Sequence, residues 1–99
     1  MTVTLKKEGT ELISAVEGRL DTLTSPQLEE KLSDELGGIT KLVFDLKDLV
    51  YISSAGLRVL VAFSKKMAGH GEMVIRNANN DIMDIIEVTG FTEAFKIEK

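Results

Sequence analysis

The segment KLVFDLKDLVYISSAGLRVLVAF, Lys41 to Phe63, decides the expected fold because it passes from a strand through two serines into an apolar helix. In its first part, KLVFDL, apolar residues fill both faces, which is typical of a central strand covered on both sides. From Ala55 onward the apolar residues recur with the period of an α-helix. A strand followed by a helix in this way predicts a parallel β-α-β unit.

The helix predicted over residues 55–68 has an apolar side that is wider than a helix on a sheet needs. Val59 and Phe63 extend the apolar arc to roughly 200°, whereas a stripe of about 100° is enough. Two interpretations of Phe63 follow: it is buried in the core, or it lies at the margin beside Lys66 and contacts a partner. The other members of the apolar side are Leu57, Leu60, Val61, Ser64, Met67 and Ala68.

The N-terminal segments predict a hairpin and a first helix. The strands TVTLK and ELISAV, on either side of a turn at Gly9, are expected to pair antiparallel near a sheet edge. The helix that follows has Pro26 in its first turn, Thr24 or Ser25 as its cap, and Gly37-Gly38 at its end. Its apolar stripe consists of Leu28, Leu32 and Leu36.

The C-terminal part predicts two more strands around a third helix. MVIRNA is a strand, NDIMDIIEVTGF is a helix, and FKIEK is a short last strand that closes the sheet. Gly90 stands where helices end on a left-handed residue, with Phe91 packing back. The order β-β-α-β-α-β-α-β predicts one α/β domain over residues 1–99. We expect a mixed sheet with an N-terminal antiparallel hairpin, β-α-β units and helices packed on the sheet.

The composition excludes several classes of protein. A chain of 99 residues with 43% hydrophobic and 28% charged residues is typical of one folded domain. The net charge of −4, the single tyrosine and the absence of tryptophan argue against a nucleic-acid partner. No apolar run approaches the ~20 residues of a membrane-spanning helix, and the polar N-terminus is unlike a signal peptide. We therefore expect a cytoplasmic protein with no membrane or nucleic-acid partner.

Catalysis is disfavoured as well. His70 is the only histidine, and a helical rise of ~1.5 Å per residue places it about 22 Å from Ser54, far beyond hydrogen-bond reach. The serines lack the Gly-x-Ser-x-Gly pattern of a nucleophile elbow, and no glycine-rich phosphate loop precedes a helix. Asp45 and Asp48 are expected to be solvated or turn-forming, since no histidine or cysteine accompanies them. We expect no catalytic residue, no cofactor and no metal ion.

Ser53 and Ser54 allow a structural and a functional interpretation. A serine at a helix start accepts hydrogen bonds from unpaired N–H groups and contributes about 1 kcal/mol to stability. Capping uses one hydroxyl and leaves the other available. The N-terminus of a helix also favours an anion such as a phosphate. The residues alone leave open whether the pair only caps the helix or also accepts a modification.

Three longer segments carry a resemblance that runs along nearly the whole chain. GRLDTLTSPQLEEKL, KLVFDLKDLVYISSAGLRVLV and GHGEMVIRNANNDIMDIIEVTGF resemble the STAS domain of bacterial anti-sigma-factor antagonists. That family has a Gly-x-Leu/Ile-Asp segment before the first helix and Asp-Ser-(Ser/Thr/Ala)-Gly-Leu at the start of the second. Asp21 matches the acidic residue of the first pattern. Aligned on Gly56-Leu57, Ser54 matches the serine of the second pattern, and Ser53 stands in place of its Asp.

The resemblance implies a binding module in a partner switch. In the family this serine is phosphorylated by a serine kinase of the histidine-kinase-like ATPase type, which is also the anti-sigma factor, and a metal-dependent serine phosphatase reverses the modification. We expect the unphosphorylated protein to bind the kinase and release its client, a sigma factor or other regulator. Phosphorylation of Ser54 is expected to abolish binding, with Ser53 as the helix cap. The expected partner-binding residues are Asp21, Thr22, Ser53, Ser54, Ala55, Gly56, Leu57, Arg58, Val59 and Phe63.

Two alternatives remain beside the switch. One is a non-switching STAS subunit, such as an accessory of a transporter complex, that uses the second helix as a permanent docking face. The other is a small hydrolase, which the distance of His70 and the missing oxyanion loop disfavour. The partner switch and the non-switching subunit both predict a protein that is not an enzyme.

Overall fold

The computed structural model of the chain describes residues 1–69, 71–90 and 96–98. Six strands and three helices follow one another along these residues. In chain order they are β1 (Thr2–Glu8), β2 (Glu11–Leu20), α1 (Ser25–Ser33), β3 (Lys41–Asp45), β4 (Leu49–Ile52), α2 (Ser54–Met67), β5 (Glu72–Arg76), α3 (Asn80–Val88) and β6 (Lys96–Glu98).

The strands form one mixed sheet with the order β1-β2-β3-β5-β6. β1 and β2 form an antiparallel hairpin, and β2, β3, β5 and β6 run parallel to one another. This confirms the predicted hairpin at the sheet edge, the β-α-β units and the central place of KLVFDL. Helical crossovers connect the parallel strands because such strands cannot be joined by a tight turn.

β4 is a strand that the sequence analysis does not predict. After β3 the chain makes a short excursion through residues 46–48 and then pairs with β2 again, parallel, through Arg19 with Tyr51 and Leu20 with Ile52. The register of β2 shifts between Gly18 and Arg19 to allow this second pairing. β2 and β4 therefore end side by side, immediately before α2 begins.

All three helices contribute to a single core on one face of the sheet. Leu42 and Phe44 of β3 point into it, and the ring of Phe44 lies 5.9 Å from that of Phe63 on α2, tilted by 49°. Phe63 is completely buried, so the core interpretation of this residue is confirmed. Further members of the core are Leu12, Leu20, Leu28, Leu32, Leu57, Leu60, Ile75, Ile82 and Ile86.

The opposite face of the sheet has no helix on it among the described residues, although β3 has the apolar pattern of a strand covered on both sides. Val43 and Val74, which alternate with the core-facing residues of their strands, are nevertheless 0% exposed. The four neighbouring strands β2, β3, β5 and β6 also carry charged side chains that pair with one another. Lys41 Nζ lies 3.6 Å from Glu11, 3.9 Å from Glu72 and 3.9 Å from Glu98. We call this group, with Arg76 and Lys96, the ion-pair lattice; its other contacts are Arg76 with Glu98 at 3.2 Å and Lys96 with Glu72 at 3.5 Å.

The ends of the helices differ in places from the predicted ends. α1 ends at Ser33 with Asp34 as its C-cap, so the prediction that Gly37-Gly38 terminates it is wrong by one turn. The left-handed cap at Gly90 is confirmed, with φ +78°. Phe91 and His70 lie outside the described residues. α2, with 14 residues the longest of the described helices, is too short to cross a bilayer, and so are the others.

Candidate functional site: the start of α2 and the Asp21 loop

The two serines at the start of α2 have different structural roles. Ser53 is the N-cap with extended backbone (φ −93°, ψ 175°), and its Oγ accepts a hydrogen bond from the Gly56 N–H at 3.3 Å. Ser54 is the first residue of the helix and is exposed. No described residue hydrogen-bonds to its hydroxyl. The prediction that Ser53 caps the helix is therefore confirmed, and the Ser54 hydroxyl is left accessible.

Close packing fixes the start of α2 against the end of β2. The Ser53 N–H donates to the Leu20 carbonyl at 2.9 Å. Gly56 is buried one turn later, where a Cβ would lie 2.8 Å from both the Leu20 carbonyl oxygen and Ile52 Cγ1. Only glycine fits without a shift of the backbone here. As a result, the serines lie directly beside the loop that follows Leu20.

Asp21 shapes that loop, which we call the Asp21 loop (residues 21–24). Its Oδ1 accepts hydrogen bonds from the N–H groups of Leu23 at 3.0 Å and Thr24 at 3.1 Å. In return, the Asp21 N–H donates to Thr24 Oγ1 at 2.8 Å. The Thr24 backbone hydrogen bond is the main cause that lowers the pKa of the Asp21 carboxyl, helped by the Leu23 N–H, the Thr24 hydroxyl and Arg19 against a partial desolvation. Asp21 is thus held as an anion at neutral pH.

This use of Thr24 also explains how α1 begins. Thr24 occupies the N-cap position, as one of the two predicted candidates, but its side chain makes no capping hydrogen bond. Its hydroxyl instead accepts from the Asp21 N–H and lies 2.8 Å from the Arg19 carbonyl, to which it donates. Ser25 donates its hydroxyl to the Asp21 carbonyl at 2.6 Å. The loop and the first turn of α1 are therefore one hydrogen-bonded unit.

Three residues in or beside the Asp21 loop are not indicated by the sequence pattern. The guanidinium of Arg19 lies 4.3 Å from the centre of the Tyr51 ring, and its Nε lies 3.7 Å from Asp21 Oδ2. Leu23, at the tip of the loop, is 81% exposed. The pairing of Arg19 with Tyr51 depends on the unpredicted strand β4, so no local pattern could have indicated it.

A shallow groove of about 240 Å³ runs between α1 and α2. It brings together four of the predicted partner-binding residues from two distant segments: Thr22 of the loop with Ala55, Arg58 and Val59 of α2. The other residues that line it are Ser25, Pro26, Glu29 and Ala62. We call the exposed residues Thr22, Ser54 and Arg58, the partly exposed Asp21 and Ala55, and the buried Val59 at their edge the switch surface.

The predicted contact of a partner with Phe63 is wrong, because that side chain is sealed in the core. Lys66 covers it from outside, with Nζ 5.0 Å from the ring centre. Leu57 is 1% exposed and Gly56 is buried, so these two predicted partner-binding residues support α2 from beneath. The apolar arc of α2 is wide because Val59 and Phe63 both pack inward, whereas Ala68 of the predicted apolar side is exposed.

A larger cavity of about 580 Å³ lies away from the serines, between α3 and β6. Its lining mixes Lys47 with carboxylates and amides, and it contains none of the predicted site residues. Among the described residues, no three acidic or histidine side chains form a group that could hold a metal ion. Neither observation provides a better candidate site than the start of α2.

Comparison with known proteins identifies the family. A family model described as STAS domain matches residues 2–99. A curated relative, "Putative anti-sigma factor antagonist BtrV" of Bordetella bronchiseptica, is 32% identical over 99 residues, which cover 98% of this chain and 85% of BtrV. The chain belongs to the STAS-domain family of anti-sigma factor antagonists. Such antagonists act by binding anti-sigma factors in partner switching.

Solved structures show that this STAS protein shares its fold with other antagonists. An anti-sigma factor antagonist from Mycobacterium paratuberculosis superposes with a TM-score of 0.88 at 23% identity, covering 97% of this chain and 83% of that one. The unphosphorylated form of the antagonist SpoIIAA gives a TM-score of 0.78 at 16% identity, over 99% and 88% of the two chains. The phosphorylated form of the Bacillus protein gives 0.75 at 16% identity, over 99% and 92%.

Proposed function

We propose that this STAS protein is a phosphorylation-controlled binding module in a partner-switching pathway. Unphosphorylated, it binds a serine kinase of the histidine-kinase-like ATPase type that is also an anti-sigma factor, and thereby frees the client of that protein. The kinase transfers the γ-phosphoryl group of ATP to Ser54 Oγ, releasing ADP and a proton, and binding ends. A metal-dependent phosphatase hydrolyses the ester and restores the binding form.

The exposed Ser54 hydroxyl beside the groove is the observation that carries this proposal. A kinase must reach the hydroxyl with its nucleotide, and Ser54 is exposed while Ser53 supplies the cap. The groove between α1 and α2 gives the partner a concave place to dock next to it. The non-enzymatic role is supported by the curated relative, which is named as an anti-sigma factor antagonist.

The charge around Ser54 explains how a phosphate would end binding. A phosphoserine carries about −1.5 to −2 charges at neutral pH. The pKa of Asp21 is lowered, so a second negative charge is fixed on the same switch surface. A partner that matches the unmodified surface would have to desolvate the added charge, and mismatched charges in a dry interface cost several kcal/mol. We therefore expect an affinity loss of about two decades or more.

The proposal is tested by measuring the affinity of three variants for the cognate kinase by calorimetry. Ser54→Ala is expected to bind like the unmodified protein and to accept no phosphate. Ser54→Asp is expected to fold normally and to bind at least about 100-fold more weakly. Asn80→Asp is the matched control, because Asn80 is the exposed first residue of α3 and the substitution adds the same charge to a helix start.

Two results would contradict the proposal. If Ser54→Asp binds like the unmodified protein, phosphorylation is not the switch, and a permanently docked STAS subunit becomes the better interpretation. If the purified protein labels itself stoichiometrically with ATP and magnesium in the absence of a kinase, the non-enzymatic role is lost.

A further inference from the structure

Arg58 lies one helical turn after Ser54 on the same side of α2. Both residues are exposed, and side chains four residues apart on a helix have their Cβ atoms about 5–6 Å from each other. Long helical side chains lean back toward the N-terminus and cover the preceding turn. The Arg58 side chain, which lines the groove, is therefore within reach of the turn that begins at Ser54.

Among the described residues, Arg58 forms no ion pair or ring contact, in contrast to the other two arginines of the chain. Of the three arginines in the chain, Arg19 lies on Tyr51 and near Asp21, and Arg76 pairs with Glu98. Within the described part of the chain, Arg58 has no carboxylate within 4.0 Å. Glu29 lines the same groove without forming such a pair. The Arg58 guanidinium is thus available to a new anion.

We propose that Arg58 is the receptor, within this chain, for a phosphate on Ser54; the inference rests on the proposed phosphorylation of that residue. The planar guanidinium donates paired hydrogen bonds to phosphate oxygens, which a compact ammonium cannot match. Capture of Arg58 by the phosphate also takes this side chain from the groove that it lines. Modification then changes the switch surface twice, since it adds a negative charge and withdraws a positive one.

The test measures the second pKa of the phosphate by ³¹P NMR in protein that carries phosphoserine at residue 54. The phosphoserine is inserted during translation, so no kinase is needed. The proteins compared have Arg58, Arg58→Gln or Arg58→Lys, and Lys65→Gln is the matched control. Lys65 is exposed on the same helix, 11 residues and about 16 Å beyond Ser54. Circular dichroism checks that each variant is folded.

We expect the phosphate pKa to be lower by about 0.3 to 1 pH unit with Arg58 than with Arg58→Gln, because a nearby cation favours the dianion. Lys65→Gln should leave the pKa at the unsubstituted value, and Arg58→Lys should restore only part of the difference. The helix N-terminus, Glu29 and Asp21 act on the phosphate in every variant and therefore cancel in the comparison.

Equal phosphate pKa values with arginine and glutamine at residue 58 would overturn the inference. An equal shift in the Lys65→Gln control would do the same, since the effect would then be one of overall charge. The proposed function fails by a different result, namely a cognate kinase that leaves Ser54 unmodified while the inserted phosphoserine still shows the Arg58 effect.

Discussion

At the scale of single residues, helix capping and the proposed acceptance of phosphate belong to two different serines at the start of α2. Ser53 holds the helix through its hydrogen bond to Gly56, and Ser54 contributes no hydrogen bond from its hydroxyl to any described residue. A phosphate on Ser54 therefore does not remove a cap. At a helix N-terminus the added negative charge is stabilising by about 0.3–1 kcal/mol.

This separation predicts different effects for the same substitution at neighbouring positions. Ser53→Ala should lower the free energy of unfolding by about 1 kcal/mol because the cap is lost. Ser54→Ala should leave it nearly unchanged. Urea unfolding of both variants checks this, together with mass-spectrometric mapping of the phosphate after incubation with the kinase. Phosphate on Ser53, or a greater loss of stability in Ser54→Ala, would show that the roles are reversed.

Two buried serines provide a second residue-scale prediction. Ser14 is 0% exposed in β2, and its Oγ has no hydrogen-bond partner among the described residues, whereas the equally buried Ser25 donates to the Asp21 carbonyl. A buried polar group without a partner is destabilising by about 1–3 kcal/mol. Ser14→Ala should therefore raise the free energy of unfolding by about 1 kcal/mol, and Ser25→Ala should lower it by a similar amount. Calorimetric melting of both variants decides; a loss in Ser14→Ala would mean that the hydroxyl has a partner.

At the scale of elements, the strands and helices with a regular apolar period were predictable, and the short, irregular segments between them were not. The hairpin and the three helices follow from alternation and helical period along continuous segments. β4 has only four residues, of which Leu49 and Ile52 are buried, and its pairing with β2 depends on a register shift far away in sequence. α1 ends before its predicted glycines, and Leu36, the last residue of the predicted apolar stripe, is only half-buried.

The candidate site shows the same division between local and distant signals. Asp21 and Ser54 were named because each matches a short pattern of the family that the chain resembles, and Ser53 because it stands at the start of a predicted helix. Arg19 and Tyr51 were not, because their contact crosses from β2 to β4. Phe63 illustrates the limit of an amphipathic pattern: the width of an apolar arc does not tell whether its margin meets the core or a partner.

The junction of α2 with the sheet gives a prediction at this scale. Gly56→Ala adds a Cβ that would meet the Leu20 carbonyl at 2.8 Å, so it should destabilise the fold by about 1–3 kcal/mol although alanine favours helices. Gly37→Ala is the control, since a Cβ there has no atom within 4 Å and the change should be neutral or slightly stabilising. Chemical unfolding of the two variants compares them directly. Equal stabilities would mean that α2 can move away from β2 at no cost.

At the scale of the whole molecule, the sheet is asymmetric, with helices on one face and the ion-pair lattice on the other. Apolar residues on both faces of β3 predicted that the strand is covered on both sides. In the structure, Val43 and Val74 are 0% exposed, and the strands that carry them also carry the long charged side chains of the ion-pair lattice, whose aliphatic stems can pack on apolar surface.

Lys41 is the centre of this lattice and provides a test of it. Lys41→Met leaves Glu11, Glu72 and Glu98 without their shared cation, so we expect a loss of about 1 kcal/mol that becomes smaller in high salt as repulsion is screened. Lys6→Met is the control, because Lys6 forms an isolated and exposed pair with Glu8 that should contribute almost nothing. Urea unfolding at low and high salt measures both. An identical, salt-independent loss in the two variants would argue against a cooperative lattice.

The separate cap and phosphoacceptor also have a genetic consequence under the proposed switch. An allele with Ser54→Ala would encode a folded antagonist that no kinase can turn off, so its effect should be dominant in a cell that also carries the normal gene. An allele with Ser53→Ala would encode a regulated but less stable antagonist, so its effect should be recessive and should be relieved by higher expression. The two alleles carry the same substitution at neighbouring codons and would thus be distinguished by their response to gene dosage.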